Sequence, residues 1–221
     1  MKGKMIVIEG LDGSGKATQT SLLCDKLTES GKSFVRLSYP NYESPSSALV
    51  KMYLSGELSD TPGGVNPYAA ASFYAVDRCA DFLKYHKAEY ESGALFVSDR
   101  YATSNAVYQT SKLPRSEWSA FLSWLNDFEY NKLGVPKPDA VIYLDMDVDV
   151  SQKLLSQRYN GDESKKDIHE INTDYLRLCR ETALYAADAL SWRVVRCDDG
   201  TAPFSREEIA RRVWEIARGI I

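Results

Sequence analysis

The stretch GLDGSGK at residues 10–16 decides the fold of this chain. Residues 4–9 before it are apolar and partly β-branched, which predicts a buried strand. After it, apolar residues recur at helical spacing until Gly31, which predicts a helix that ends there. Glycines and a lysine at this spacing, between a strand and a helix, are typical of a P-loop. In such a loop, curled backbone N–H groups and the helix N-terminus bind phosphate oxygens.

We expect this P-loop to hold the phosphates of a nucleotide, with the Lys16 ammonium at the β- and γ-phosphates. The residues expected to contact the nucleotide are Gly10, Asp12, Gly13, Ser14, Gly15, Lys16, Ala17 and Thr18. One position departs from the motif, since Ala17 stands where Ser or Thr normally holds Mg²⁺. Thr18 lies about 100° further around the helix and is not expected to replace that hydroxyl. The departure leaves open a protein that binds nucleotides without catalysing a reaction.

Strands and helices alternate along the rest of the chain. Further apolar, β-branched stretches predict strands at residues 33–37, 94–98, 139–145 and 192–197. Helical patterns lie between them at residues 68–92, 115–133 and 171–189, and a capping box at residues 205–208 opens a last helix. This alternation predicts an α/β protein with a five-stranded parallel sheet, covered by helices on both faces in the manner of P-loop NTPases. We expect one domain over residues 1–221.

The composition argues against several classes of protein. Hydrophobic residues make up 44% and charged residues 26% of the 221 residues, which is typical of a globular protein. There are 27 basic and 31 acidic residues, so the net charge of −4 does not favour nucleic-acid binding. We see neither an apolar run of the ~20 residues that a membrane span needs nor a signal-peptide core. The four cysteines are widely spaced and are expected to be reduced thiols in a cytoplasmic protein.

A second motif narrows the choice among P-loop proteins. Residues 99–105, DRYATSN, follow the third predicted strand. They resemble the Asp-Arg-Tyr/His-x-x-Ser signature of the thymidylate kinase family. The resemblance covers nearly the whole chain, and the other matching stretches are IEGLD at 8–12, YPNY at 39–42, YAVDR at 74–78, YLD at 143–145 and DIHE at 167–170.

The resemblance implies an enzyme that phosphorylates dTMP to dTDP with ATP and Mg²⁺, and a homodimer. Another nucleotide or deoxynucleoside kinase, or the non-catalytic nucleotide-binding module that Ala17 suggests, remains an alternative. We expect neither a nucleic-acid nor a membrane partner. Asp99, at the carboxyl end of a parallel strand, is expected to hold hydrated Mg²⁺. Arg100 is expected to bind the phosphate of dTMP through its forked guanidinium.

The resemblance also assigns residues to the base of dTMP. Arg78 is matched to the residue that binds thymine O4, and Tyr74, four residues earlier on the same helix, to the aromatic residue that stacks on the base. Phe73 is the alternative to Tyr74 if the register differs by one residue. Asn105 resembles the residue that pairs with the N3 edge of the base.

Other residues are matched to the sugar and to the walls of the pocket. Tyr108 resembles the tyrosine that crowds the 2′ position of the sugar, and Asp12 the acid that accepts from the 3′-hydroxyl. Pro40 and Tyr42 are expected to line the dTMP pocket, together with Ser104, the serine of the signature.

A polar stretch at residues 158–167 is expected to form a lid over ATP. In the family that the chain resembles, a basic residue lies either in the P-loop or in the lid. Gly13 occupies the variable position of this P-loop, so the resemblance implies that the lid supplies positive charge to the transferring phosphoryl group. Arg158, Lys165 and Lys166 are the candidates, and Arg158 is the first choice because it closes a helix. The residues expected to act in catalysis are therefore Lys16, Asp12, Arg100 and Arg158.

Overall fold

The computed structural model describes residues 2–59, 61, 63–158 and 173–221, with Arg158 described for its backbone only. Its sheet contains five strands, which are β1 (Lys4–Gly10), β2 (Phe34–Ser38), β3 (Leu95–Asp99), β4 (Ala140–Asp145) and β5 (Arg193–Arg196). Their order across the sheet is β2-β3-β1-β4-β5, and every neighbouring pair is parallel. Each strand agrees with its sequence prediction to within one residue at either end.

Helices connect the strands. They are α1 (Lys16–Glu29), α2 (Ala48–Leu54), α3 (Pro67–Asp81), α4 (Lys87–Glu91), α5 (Ala102–Tyr108), α6 (Trp118–Asn126), α7 (Val148–Arg158), α8 (Thr173–Ala189) and α9 (Arg206–Ala217). A π-helical turn, Phe82–His86, joins α3 to α4, and a second, Asp127–Lys132, extends α6. None of the described helices combines the length and apolar character that crossing a bilayer requires.

The core lies on both faces of the sheet because side chains alternate along each strand. On β1, Met5 and Val7 pack with Phe96 and with residues of α5, α6 and α8. Ile6 and Ile8 point to the opposite face and pack with residues of α1 and α9. The prediction of a parallel sheet with helices on both faces is confirmed.

The predicted helices are also present. The pattern at residues 68–92 corresponds to α3, the π-helical turn and α4 in succession. The Ser205 side chain accepts a hydrogen bond from the Glu208 backbone N–H (3.1 Å), as the capping box predicts. Helix α2 was not predicted, since its seven residues are too few to show a clear helical period.

Candidate active site

The P-loop occupies the turn from β1 to α1, at the edge of the sheet where the carboxyl ends of the strands meet. Gly13 and Gly15 have positive φ angles of 80° and 87°, which side chains with a Cβ rarely adopt. Gly15 is the N-cap of α1 and provides no side-chain cap, so the N–H groups of the first turn stay available to an anion. Ser14 Oγ is buried and has no hydrogen-bond partner among the described residues. These features fit a bound phosphate chain.

Three charged groups meet beside the P-loop. Lys16 Nζ donates to the Leu11 carbonyl (2.8 Å) and lies 3.4 Å from Asp12 Oδ1, which also accepts from Arg100 Nη2. Burial alone would raise the pKa of Asp12, but the charges of Lys16 and Arg100 outweigh it and hold that pKa well below its usual range. Burial and the nearby Arg100 lower the pKa of Lys16. The ionised Asp12 therefore orients two cations toward the end of the P-loop.

Arg100 has a constrained backbone. Its φ of 65° lies in the left-handed region, which a residue with a Cβ rarely adopts. The conformation is held by the Arg100 N–H, which donates to Ile8 O (3.2 Å), and by Ser98 Oγ, which donates to Arg100 O (2.5 Å). The constraint places the guanidinium group between Asp12 and Tyr108, whose hydroxyl accepts from Arg100 Nη1 at 3.5 Å.

Glu9 is a site residue that the sequence did not single out. It is fully buried at the end of β1, and its carboxylate accepts from Thr103 Oγ1 (2.7 Å) and Ser104 Oγ (2.8 Å). Arg100 Nη1 lies 3.9 Å from the same carboxylate. Glu9 thus connects the end of β1 to the first turn of α5. The sequence gave it only as part of the matched stretch IEGLD at 8–12.

One cavity lies beside this cluster, between α3, α5 and the loop after β2. All nine residues expected to bind dTMP line it, namely Asp12, Pro40, Tyr42, Tyr74, Arg78, Arg100, Ser104, Asn105 and Tyr108. Tyr74 belongs to this lining, whereas Phe73 does not. The cavity is also lined by residues that the sequence did not point to, including Tyr53 of α2 and Tyr175 of α8.

Arg78 lines the cavity, and its guanidinium group is held from several sides. Glu129 accepts from Arg78 Nη2 (2.6 Å) and from Arg78 Nε (3.1 Å). The guanidinium carbon lies 5.6 Å from the ring centre of Tyr39 and 5.1 Å from that of Tyr101. Burial alone would lower the pKa of Arg78, but the Glu129 carboxylate raises it, so the guanidinium remains charged.

Two acids of α3 fix the loop that follows β2. Asp81 accepts from the Tyr39 hydroxyl (3.0 Å) and from Asn41 Nδ2 (2.8 Å). Asp77 accepts from the Asn41 backbone N–H (3.2 Å) and from Ser46 Oγ (2.6 Å). These bonds position the segment that carries Pro40 and Tyr42. The sequence gave Asp77 only as part of a matched stretch, and Asp81 not at all.

The remaining predicted residues concern the metal and the lid. Asp99 is the last residue of β3, where it is half-buried and in register with Ile8 of β1. Its negative charge partly offsets the lowering of the pKa of Lys16. An oxygen donor at this position fits Mg²⁺. Ala17 and Thr18 lie in the first turn of α1, where Ala17 is exposed. Helix α7 ends at Arg158, but the Arg158 side chain and residues 159–172, which include Lys165 and Lys166, lie outside the described part of the chain.

Comparisons with known proteins agree with the sequence motifs. The family model described as thymidylate kinase matches residues 8–197. A thymidylate kinase of Mycobacterium tuberculosis is 30% identical over 204 residues, covering 88% of this chain and 92% of that protein. A protein of Thermococcus gammatolerans named "Probable thymidylate kinase" is 29% identical over 221 residues, covering 99% and 100%.

A solved structure is similar across the whole fold. It is a thymidylate kinase from Candida albicans, which superposes with a TM-score of 0.70 over 99% of this chain and 92% of that one, at 21% identity. The P-loop, the five-stranded parallel sheet and the extent of the sequence match are mutually consistent. The chain belongs to the thymidylate kinase family.

Proposed function

We propose that this kinase transfers the γ-phosphoryl group of ATP to dTMP, giving ADP and dTDP. The observation that carries the proposal is the cavity beside the P-loop, which is lined by every residue that the family resemblance assigns to dTMP. In the reaction, the bond between the γ-phosphorus and the β,γ-bridging oxygen breaks. A new bond forms between that phosphorus and a phosphate oxygen of dTMP. No covalent enzyme intermediate is required.

The charges of the site support this chemistry. Phosphoryl transfer depends on positioning and on positive charge along the path of the transferring group. We assign Lys16 to the β- and γ-phosphates of ATP and Arg100 to the phosphate of dTMP, with Asp12 holding both cations at the junction. Mg²⁺, when bound, neutralises charge on the phosphate oxygens, and Asp99 would hold it. The proposal includes one domain over residues 1–221, with a lid at 158–167 and Arg158 as the first choice for the basic residue that acts on the transferring phosphoryl group.

At the base, Tyr74 is assigned to stacking, while Arg78 and Asn105 are assigned to the polar edge. Tyr108 is assigned to the sugar and Asp12 to its 3′-hydroxyl. The Tyr108 hydroxyl donates to Asp12 Oδ2 at 3.3 Å, and burial followed by the Asp12 charge raises the pKa of Tyr108 well above its usual value. Tyr108 is therefore a neutral hydrogen-bond donor to Asp12, and both residues line the cavity.

The sugar assignment predicts different results for two variants of Tyr108. Tyr108→Phe keeps the ring and is expected to retain discrimination against the ribose form of TMP. Tyr108→Ala removes the ring and is expected to relax that discrimination by roughly tenfold or more, since steric exclusion by a filled site is lost. Steady-state kinetics with dTMP and its ribose analogue measure the ratio. An unchanged ratio in Tyr108→Ala would exclude Tyr108 from sugar selection.

A phosphorylation panel tests the proposed function itself. Purified protein with ATP and Mg²⁺ is offered dTMP, dUMP, UMP, CMP and thymidine, and the products are separated by chromatography. We expect the highest kcat/KM for dTMP. Preference for another monophosphate or for thymidine would favour a different nucleotide or nucleoside kinase. Tight ATP binding without turnover of any acceptor would indicate a non-catalytic module.

We also propose a cytoplasmic homodimer. The location agrees with the four cysteines, which are all free thiols. Two faces are candidates for the dimer, the helical stretch at 68–92 and the aromatic-rich segment at 118–130. The first is favoured, because Val76 of α3 and Leu83 of the π-helical turn that follows are 46% and 55% exposed. The aromatic segment at 118–130 instead buries Trp118 and Phe121 in the core. Sedimentation velocity would show one species of twice the chain mass, and a monomer at all concentrations would contradict this.

A further inference from the structure

The base-reading end of the cavity depends on one acid that does not line it. Glu129 lies in the π-helical turn Asp127–Lys132 and is fully buried. Its two oxygens accept from Nη2 and Nε of Arg78, and Oε1 also lies 3.5 Å from Asn105 Nδ2. Glu129 therefore contacts both of the residues assigned to the polar edge of the base.

The contacts fix which atoms of Arg78 remain for a ligand. A guanidinium group carries donors only, in a planar fork. Glu129 engages Nε and Nη2 in a bidentate pair, and the rings of Tyr39 and Tyr101 restrict the plane of the group. Three N–H donors therefore remain for a ligand, two on Nη1 and one on Nη2, and all three are presented from a fixed position.

The same contacts fix the orientation of the Asn105 amide. Its nitrogen lies 3.1 Å from the carbonyl oxygen of Ala71 and 3.5 Å from Glu129 Oε1. Both neighbours accept hydrogen bonds and donate none, so the donating end of the amide must face them. The amide oxygen, an acceptor, is then the end that remains for a ligand in the cavity that Asn105 lines.

We propose that Glu129 is a positioning residue that sets the hydrogen-bond polarity of the base pocket, with Arg78 as donor and Asn105 as acceptor. This polarity is complementary to a 4-oxopyrimidine, whose O4 accepts and whose N3–H donates. It opposes a 4-aminopyrimidine, in which the amino group donates and N3 accepts. The inference rests on the proposed function, because it assumes that a nucleotide base occupies this end of the cavity.

The sharpest probe is a pair of substrates that differ only at this edge. dTMP and 5-methyl-dCMP share the methyl group, the sugar and the phosphate, and they differ at C4 and N3. We expect the wild-type protein to prefer dTMP strongly, while dUMP, which has the same edge as dTMP, is also phosphorylated. Equal use of dTMP and 5-methyl-dCMP would overturn the inference alone. Failure with every monophosphate would overturn the proposed function and, with it, the inference.

A substitution then tests the role of Glu129. Glu129→Gln keeps the shape but replaces one acceptor oxygen by a donor, so one of the two hydrogen bonds that fix the Arg78 guanidinium is lost. The ratio of kcat/KM for dTMP to that for 5-methyl-dCMP is expected to fall by roughly tenfold, the effect of about one mispaired hydrogen bond. The ratio of dTMP to dUMP and the KM for ATP are expected to stay unchanged, which a general loss of structure would not produce.

Two further variants complete the test. Glu117→Gln makes the same change at an exposed residue just before α6 and is expected to behave like the wild type. Glu129→Asp keeps an acceptor-only group and is expected to retain the preference for dTMP over 5-methyl-dCMP, even if its overall activity falls. Loss of that preference in Glu129→Asp, or its full retention in a folded Glu129→Gln protein, would overturn the proposal. Circular dichroism establishes that each variant is folded.

Discussion

Replacing Lys16 with alanine is expected to lower kcat for dTMP phosphorylation by about a thousandfold at saturating ATP and dTMP. The Lys16 ammonium is buried beside the P-loop, where it donates to Leu11 O at 2.8 Å and lies 3.4 Å from Asp12 Oδ1. This position places its positive charge next to the loop assigned to the ATP phosphates, where it would stabilise the transferring phosphoryl group. Alanine leaves the glycines and the helix N-terminus in place, so nucleotide binding should suffer less than kcat.

The control for this prediction lies on the same helix. Lys26 is exposed on α1 and pairs with Glu29 at 3.0 Å, so Lys26→Ala removes a lysine from α1 without touching the site. Its kcat is expected to equal that of the wild type. Steady-state rates and ATP binding by calorimetry separate the chemical step from binding. A Lys16→Ala protein that keeps kcat within about threefold of the wild type would remove Lys16 from the catalytic residues.

The sheet was predictable because its signals are local. Each strand is a short apolar, β-branched stretch, and the strand begins and ends close to where that stretch begins and ends. Helix α2 was missed because its seven residues give two turns, too few for a period, and because Tyr53 is buried by contacts with residues distant in sequence, on α3 and at Lys112. The π-helical turns were missed as well, since a one-residue change in helical pitch leaves little trace in an apolar pattern.

Nine residues that line the cavity were predicted from the family motifs, whereas most of the residues that hold them in place were not. Arg78 and Asn105 lie within stretches that match the family motifs. Glu129 lies in none of these stretches, since it is 51 residues from Arg78 and among aromatic residues. Asp81 holds Tyr39 and Asn41 from about 40 residues away. Such acids have no spacing rule along the chain. Their partners become visible only when α3, the loop after β2 and the second π-helical turn are packed together.

The second large effect is expected at the metal site, where Ala17 lacks the hydroxyl group that normally holds Mg²⁺ in a P-loop. Asp99→Ala is expected to lower activity about a hundredfold at low Mg²⁺, because Asp99 is the carboxylate assigned to the ion at the edge of the sheet beside the P-loop. Higher Mg²⁺ should restore part of the loss if the defect is in metal affinity. Asp25→Ala, at an exposed acid of α1, is the matched control and is expected to show the wild-type dependence on Mg²⁺.

Ala17→Thr tests the same site from the opposite direction. Mg²⁺ normally keeps several waters, so a water can take the position of the missing hydroxyl, and restoring the hydroxyl should change kcat only modestly. Ala17 is exposed in the first turn of α1, so threonine should be accommodated with little cost to the helix. Titrating Mg²⁺ against dTMP phosphorylation for the wild type, Asp99→Ala and Ala17→Thr compares the two positions directly. If the wild type were inactive at every Mg²⁺ concentration while Ala17→Thr turned over, the P-loop would have lost its catalytic metal site with the hydroxyl, and water would not substitute for it.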